Sequence, residues 1–243
     1  MTLNNLVIFC YDFPHLKSKL GLQLLDIFGP KKCTIIASPW EKLDIRKSKI
    51  RTITNEIEYL HPKEISNKNG WDYFAYKHNS PDTIKLLKKI KPNFGIILGS
   101  RILSGDVIKS FNEGILNFHP GLLPENRGLN TIQNAVLKNI PQAVTLHFID
   151  TEIDKGRKIL TNIVDVEMND NLFDIQKKIT NTEMSTLKNL LQNRIKFDNL
   201  LSLKTDIALN KIIEEGDSEK FYSLFDVYKK NYKNIINSYK SND

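Results

Sequence analysis

The feature that most constrains the fold is an alternation, in the first half of the chain, of short apolar runs and amphipathic segments. Apolar runs that favour strands lie at Leu6–Cys10, Cys33–Ser38 and Phe94–Leu98, and amphipathic segments lie between them at Lys17–Phe28 and Ser80–Ile90. This alternation is typical of a mostly parallel sheet covered by helices. We therefore predict an α/β fold.

One of the amphipathic segments carries its own start and stop signals. Ser80 is suited to cap a helix N-terminus, and Pro81 is suited to the first helical position. Pro92 follows the last apolar residue of the segment, where it cannot continue the helix. The sequence thus predicts a helix that ends just before the apolar run at Phe94–Leu98.

The length and the charge of the chain set broad limits on its function. The 243 residues are enough for one large domain, or for one medium domain with an appendage. The 35 Lys and Arg residues exceed the 28 Asp and Glu residues, which gives a net charge of +7. This surplus suits a phosphate-bearing substrate, nucleic acid or an acidic membrane surface, and its sign alone does not choose among them.

Cysteine usage and hydropathy indicate the cellular setting. The two cysteines, Cys10 and Cys33, lie inside apolar runs and are expected to be core thiols rather than a disulfide framework. The N-terminal residues lack a basic region followed by a long apolar region, and no apolar stretch approaches the roughly 18–20 residues of a membrane span. We expect a soluble cytoplasmic protein without membrane contact.

Polar residues follow three of the predicted strands. Gly99–Leu103 follows one strand, Asn117 and His119 come at the end of the next, and the loop Thr151–Gly156 follows a third. Ligands of open α/β sheets bind beyond the carboxyl ends of the strands. We therefore expect these three segments to meet at one crevice.

Three of these polar residues form a candidate catalytic set. Asn117 and His119 are two positions apart on a strand and are predicted to project from the same face. An amide N–H can stabilise an oxyanion, and a histidine can accept a proton near neutral pH. A carboxylate such as Asp154 favours the imidazolium and orients the ring. The set fits acyl-type transfer, although three such residues near strand ends also occur together by coincidence.

Two separated motifs resemble a known family. The stretch ILNFHPGLLPENRGLNTIQNAV, followed by AVTLHFIDTEIDKG, is similar to the signature of the folate-dependent formyltransferases, which share an Asn-x-His-Pro-x-Leu-Leu-Pro core and a later Asp-x-Gly. The similarity is clear over residues 92–166 and looser over residues 1–185. It implies a Rossmann-like catalytic domain at residues 1–185 and a short C-terminal extension at residues 186–243.

The resemblance implies a role for each residue of the set. The formyl donor is 10-formyltetrahydrofolate, and the reaction needs no metal. Asn117 is expected to polarise the formyl oxygen, His119 to receive a proton from the attacking amine, and Asp154 to hold His119 and an ordered water.

The resemblance also implies binding residues outside this set. In relatives, the turn that carries the Arg-Ile-Leu sequence contacts the pterin, and an Arg-Gly pair often faces the acceptor. The residues implied for the folate are Arg101, Ile102, Leu103 and His147, and the residue implied for a substrate phosphate is Arg127. Two of these roles have an equally open alternative: His147 can be a core histidine with satisfied hydrogen bonds, and Arg127 can be a solvated loop arginine.

Three branches of the family differ in ways that the sequence can address. The glycinamide ribonucleotide branch has a Gly-rich phosphate turn after the first strand, whereas residues 10–15 here read CYDFPH, with an acid and no glycine. The methionyl-tRNA branch adds a β-barrel, for which residues 186–243 are too few. The positive charge is spread along the chain, so we expect small-molecule substrates and no nucleic acid.

The remaining branch is that of the sugar N-formyltransferases. We predict formylation of a nucleotide-linked amino-deoxysugar destined for a surface polysaccharide, with dTDP-4-amino-4,6-dideoxyglucose as the best guess, by a homodimer that uses its C-terminal extension. The alternatives are the other two formyltransferase activities and a catalytically silent relative that binds folate or a nucleotide sugar. A basic nucleic-acid-binding module is a further alternative, and it predicts a clustered positive face.

Overall fold

A computed structural model of the protein describes residues 3–42, 60–198 and 200–241. Within these ranges, strands and helices alternate through the first part of the chain. The strands are β1 (Leu6–Tyr11), β2 (Thr34–Ser38), β3 (Asp72–Phe74), β4 (Phe94–Ile97), β5 (Gly114–His119), β6 (Ala143–Phe148), β7 (Arg157–Ile163) and β8 (Leu201–Ser202). The helices are α1 (Leu16–Phe28), α2 (Pro62–Asn69), α3 (Pro81–Ile90), α4 (Gly105–Ile108), α5 (Thr131–Lys138), α6 (Leu172–Leu191) and α7 (Glu215–Lys240).

The eight strands form one sheet in the order β3-β2-β1-β4-β5-β6-β7-β8. The five neighbouring strands β3, β2, β1, β4 and β5 are parallel to one another, which confirms the prediction of an α/β fold with a mostly parallel sheet. Strands β6, β7 and β8 are antiparallel to their neighbours. In register, Asn117 of β5 is paired with His147 of β6, and His119 is paired with Thr145.

Both faces of the parallel strands are covered, as the apolar runs require. In β1, Leu6 and Ile8 contribute to one core cluster, while Val7 and Phe9 contribute to the cluster on the other face. Cys10 is a buried free thiol of the first cluster, and burial raises its pKa.

The predicted capping of α3 is present. The side chain of Ser80 accepts a hydrogen bond from the backbone N–H of Thr83 at 3.2 Å, and Pro81 is the first helical residue. The helix ends at Lys91, which adopts a left-handed conformation. These local signals deliver the chain directly into β4, whose carboxyl end borders the site described below.

The last part of the chain packs on the sheet domain. Helix α6 runs through the boundary predicted between residues 185 and 186, so the division into a catalytic domain and an extension stays a prediction. Helix α7 places Phe221, Tyr228 and Tyr232 in the larger core cluster. In the described ranges, no helix combines the length and the apolar character that crossing a membrane requires.

Candidate active site

The side chains of Asn117, His119 and Asp154 line one cavity of about 520 Å³. Strand β5 presents Asn117 and His119 on the same side, and Phe118 between them is fully buried in the core on the other side. Asp154 reaches the cavity from the loop between β6 and β7. The structure therefore brings the three predicted residues together.

The loop that carries Asp154 arrives in a way that the strand pattern does not predict. The expected crevice was based on the carboxyl ends of parallel strands, but β6 runs antiparallel to β5. Residues 149–154 nevertheless line the same cavity as residues 100–103, which follow β4. The three segments meet as predicted, and for β4 and β5 they do so at the carboxyl ends of parallel strands. The third segment differs because the direction of a strand within the sheet is not encoded in an apolar run.

His119 is held between two hydrogen-bond acceptors. Its Nδ1 lies 3.3 Å from Oδ1 of Asp154, and its Nε2 lies 2.8 Å from the backbone oxygen of Asn126. A carbonyl oxygen can only accept, so the contact with Asn126 requires a proton on Nε2. Both contacts are satisfied together only in the imidazolium form, and the residue is 4% exposed. These two contacts fix the orientation of the imidazole ring.

Asp154 is fixed by its own backbone and by a neighbouring loop. The residue adopts a left-handed conformation with φ of 50°, and its Oδ2 accepts the backbone N–H of Gly128 at 2.8 Å. Burial by itself raises the pKa of Asp154, but the hydrogen bonds from His119 and Gly128 outweigh this effect, so that the pKa lies below its ordinary value. Asp154 is therefore a carboxylate near neutral pH.

His147 lies behind Asn117 rather than in the cavity. It is fully buried, and the cavity lining does not include it. Burial lowers the pKa of His147 to about 4, so the ring is neutral at pH 7. Its Nδ1 donates to the oxygen of Lys155 at 3.1 Å, which leaves Nε2 to accept from Nδ2 of Asn117 at 3.2 Å. The prediction that His147 contacts the folate is therefore corrected: His147 orients the Asn117 amide.

Arg127 also differs from its predicted placement. Its side chain is 5% exposed and is absent from the cavity lining. Its Nε and Nη2 donate to the oxygen of Ile153 at 3.2 and 2.6 Å, and its Nη1 donates to the oxygen of Ile207 at 2.7 Å. The guanidinium thus binds backbone carbonyls, and the expectations of a phosphate ligand and of a solvated loop arginine are both replaced.

The predicted folate turn borders the cavity. Arg101 and Ile102 are exposed, Leu103 is buried, and all three line the cavity wall. Asn79 fixes the turn, because its Nδ2 donates to the oxygen of Ile102 at 2.8 Å and its Oδ1 accepts the N–H of Ser104 at 2.8 Å. The apolar side chains and the fixed backbone form a wall for a flat ligand.

Some site residues were not predicted from the sequence. Asn126 and Gly128 act through backbone groups, which leave no signature in residue type. Leu209 and Asn210 line the cavity from a segment without periodicity. The one available signal was the Arg-Gly pair, since Gly128 has φ of 95°, a conformation that favours glycine.

A family model described as formyl transferase matches residues 45–191, more than half of the chain. The chain belongs to the formyl transferase family. This result confirms the resemblance seen in the two sequence motifs. Among residues 3–42, 60–198 and 200–241, no group of three or more His, Cys, Asp and Glu side chains is arranged to hold a metal ion.

Two relatives illustrate the range of the family. The chain is 29% identical over 200 residues, 78% of its own length, to the bifunctional polymyxin resistance protein ArnA of Wigglesworthia glossinidia brevipalpis. It is 29% identical over 147 residues, 55% of its length, to the methionyl-tRNA formyltransferase of Caldicellulosiruptor saccharolyticus. The matches span 28% and 46% of these relatives.

Solved structures support the fold of the family. A sugar N-formyltransferase from Shewanella sp. FDAARGOS_354 superposes with a TM-score of 0.58 at 18% identity, over 84% of this chain and 76% of that one. A phosphoribosylglycinamide formyltransferase from Streptococcus pneumoniae TIGR4 also gives a TM-score of 0.58, at 17% identity, over 78% of this chain and 98% of that one. The two activities therefore share this architecture.

Proposed function

We propose that the protein transfers a formyl group from 10-formyltetrahydrofolate to the amine of a nucleotide-linked amino-deoxysugar. One observation carries the proposal: His119 is fastened between Asp154 and the Asn126 carbonyl, beside Asn117, inside the region that matches the formyl transferase family. The proposed catalytic residues are Asn117, His119 and Asp154.

The chemistry of formyl transfer fits these three groups. Transfer forms a bond between the acceptor nitrogen and the formyl carbon, breaks the bond from that carbon to the donor nitrogen, and moves a proton from the acceptor nitrogen to the donor nitrogen. Asn117 is proposed to donate an amide N–H to the oxyanion. When the substrates bind, Nε2 of His119 leaves the Asn126 carbonyl and gives its proton to solvent. The neutral Nε2 then takes the amine proton, Asp154 stabilises the resulting imidazolium, and the proton passes on to the donor nitrogen.

The cavity wall supports a folate as the donor, which supplies the formyl carbon when bound. The volume of the cavity, about 520 Å³, lies within the usual range for small-molecule sites, and the cavity wall combines Ile102, Leu103 and Ile153 with a few polar groups. A pterin is flat and has a polar edge, which suits such a wall. Arg101, Ile102 and Leu103 are the residues proposed to hold it.

The turn after β1 favours a sugar acceptor over glycinamide ribonucleotide. Asp12 in this turn accepts a hydrogen bond from the hydroxyl of Tyr73 at 2.6 Å, so a carboxylate occupies the region where the ribonucleotide branch has its phosphate turn. A carboxylate in this turn repels a phosphate that binds there, as the phosphate of the ribonucleotide does in its branch, and does not bear on a phosphate bound elsewhere. We propose dTDP-4-amino-4,6-dideoxyglucose as the acceptor, made for a surface polysaccharide.

The C-terminal part contains a long helix that packs on the sheet domain. The described residues 200–241 form β8, a segment without regular structure and the long helix α7, and they do not form a barrel. A homodimer that uses residues 186–243, and a cytoplasmic location, complete the proposal. Light scattering of the purified protein tests the dimer, and a monomer would refute that part.

A formylation assay tests the function. The purified protein is incubated with 10-formyltetrahydrofolate and, separately, with amino-sugar nucleotides, glycinamide ribonucleotide and methionyl-tRNA. We expect a formamide product with a sugar nucleotide. Product with tRNA or the ribonucleotide alone would contradict the sugar assignment, and no product with any acceptor would indicate a silent relative.

Variants then test the residue roles. We expect Asn117→Ala and His119→Ala each to lower kcat by orders of magnitude and to leave the fold intact, because each removes a group at the reacting atoms. Lys204→Ala, at an exposed position, serves as the control and should retain activity. Wild-type rates in both active-site variants would refute the assigned roles.

A further inference from the structure

Residues 203–210, which we call the C-terminal strap, lie against the site although they follow the region matched by the family model. At one end, the N–H of Leu203 donates to the oxygen of Gly156 at 2.8 Å. At the other end, the N–H of Asn210 donates to the oxygen of Arg127 at 2.8 Å. The strap is thus tied to both loops that surround His119.

Arg127 connects the strap to the residue before Asp154. The guanidinium donates to the oxygen of Ile207 in the strap and, with two nitrogens, to the oxygen of Ile153. Three charge-assisted hydrogen bonds from one buried planar group hold the two backbones in a fixed relation. Asp154 is the next residue after Ile153, so this link holds the backbone from which its carboxylate projects.

Asn210 connects the strap to the other partner of His119. Its Nδ2 donates to Oδ1 of Asn126 at 2.6 Å, and its Oδ1 accepts from Nζ of Lys138 at 2.6 Å. The amide of Asn210 is therefore held in one orientation. Asn126 in turn presents its backbone oxygen to Nε2 of His119 at 2.8 Å.

We propose that the C-terminal strap positions both hydrogen-bond partners of His119, Asp154 through Arg127 and Asn126 through Asn210. Arg127 and Asn210 are positioning residues, since each acts on His119 through another group. The expected effect on the rate rests on the proposed function, whereas the placement of the His119 ring does not. Displacement of a catalytic group by about 1 Å can reduce a rate on the order of 100-fold, so a strap of this kind has a measurable effect.

Proton NMR of the imidazole N–H groups tests the placement without turnover. The Nε2–H of His119 is buried and bonded, and so is that of His78, which donates to the oxygen of Cys10 at 2.9 Å. The variants His119→Gln and His78→Gln assign the signals of the two rings. We expect Arg127→Met and Asn210→Ala to weaken or abolish the His119 signal by faster exchange with water and to retain the His78 signal. An unchanged His119 signal in both variants would overturn the proposal.

Kinetics of the full-length protein test the consequence. We expect kcat to fall on the order of 100-fold in Arg127→Met and on the order of 10-fold in Asn210→Ala, with KM changed much less, because alignment rather than binding is lost. Arg127→Lys should recover part of the rate, since an ammonium can still donate to one carbonyl. Ala208→Ser, an exposed position of the strap, is the matched control and should keep the wild-type rate.

The outcomes separate this proposal from the proposed function. If the wild type formylates no acceptor, the function is wrong, and the His119 signal still decides the role of the strap. If Arg127→Met loses the His78 signal as well, it is misfolded, and Asn210→Ala decides alone. An active wild type with unchanged kcat in Asn210→Ala and in a folded Arg127→Met would refute the positioning role.

Discussion

At the scale of single residues, the site depends on close backbone approach around His119. The carbonyl of Asn126 reaches Nε2 of His119 because Gly121 has no side chain. A Cβ at Gly121 would lie 2.9 Å from both the Asn126 oxygen and Nε2 of His119. Atoms this close must shift, and the groups that shift are the ones proposed to act in catalysis.

Gly121→Ala is therefore expected to lower kcat on the order of 100-fold through misplacement of His119. The melting temperature should change little, because the added methyl displaces a loop rather than the core. Steady-state formylation and thermal unfolding measure the two effects. Gly216→Ala is the control, since its added Cβ meets no atom within 4 Å beyond its chain neighbours and the backbone of its own helix, and equal rates in the two variants would contradict the argument.

The buried neutral His147 makes stability depend on pH. Burial lowers its pKa to about 4 in the fold, from about 6.5 in the unfolded chain, so the unfolded chain binds more protons between these values. The free energy of unfolding contributed by His147 is complete above about pH 6.5 and is lost as the pH falls toward 4. The loss between about pH 7.5 and about pH 5 is on the order of 2 kcal/mol.

Urea unfolding at these two pH values measures the effect, and His147→Gln should remove its share. Burial also lowers the pKa of His15 to about 4, which adds a decrease of the same sign. His15 is present in both proteins, so the difference between them isolates His147. An equal decrease in wild type and variant would show that His147 does not carry the effect.

At the residue scale, the features of the site that the sequence predicts are those set by local geometry. The shared face of Asn117 and His119 follows from the two-residue period of a strand, and it holds in the structure. The partners of Arg127 and the acceptor at Nε2 of His119 are backbone oxygens. Every residue has such an oxygen, so neither partner could be identified from residue types.

At the scale of elements, the hydroxyl of one tyrosine of helix α7 makes two hydrogen bonds to the sheet domain, in addition to the apolar contacts of the helix. Tyr232 accepts the N–H of Gln142 at 2.8 Å and donates to the oxygen of Val164 at 2.6 Å. These two groups flank β6 and β7, and the tyrosine is buried between them. Removal of the hydroxyl leaves the buried N–H of Gln142 and the buried oxygen of Val164 without this hydrogen-bond partner.

Tyr232→Phe is expected to lower the free energy of unfolding by about 1–3 kcal/mol for this reason. Tyr222→Phe makes the same chemical change on the same helix at a side chain that is 63% exposed, and it should cost almost nothing. Denaturant titration of the two variants gives the comparison. Equal stabilities would mean that the hydroxyl of Tyr232 does not anchor α7.

Elements with local signals could be predicted, and those defined by distant partners could not. Ser80 and Pro81 specify the start of α3 within a few residues. The direction of β6 depends on its pairing with β5 and β7, and pairs such as Asn117 and His147 join residues that no local sequence signal connects. The strap shows neither the apolar period of a helix nor that of a strand, because its residues are held by hydrogen bonds to loops rather than by an apolar face.

At the scale of the whole molecule, the N-terminal strands and the C-terminal helix share one core. The larger cluster contains Leu6 of β1, Trp71 beside β3, and Phe221 and Tyr232 of α7. Helix α6 also continues through the boundary predicted between residues 185 and 186. The composition of the chain changes near that boundary, but a change in composition does not report which apolar faces meet.

A shared core predicts a single cooperative unfolding transition. Trp71 is buried in the larger cluster, so its fluorescence reports on the N-terminal part, whereas circular dichroism in the far ultraviolet includes the 26 residues of α7. The two signals should change at the same urea concentration, and Tyr232→Phe should move both together. In Trp40→Phe, the exposed second tryptophan is removed, so that fluorescence comes from Trp71 alone. Loss of helix signal before the change in Trp71 fluorescence would mean that α7 unfolds as a separate unit, as an independent extension would.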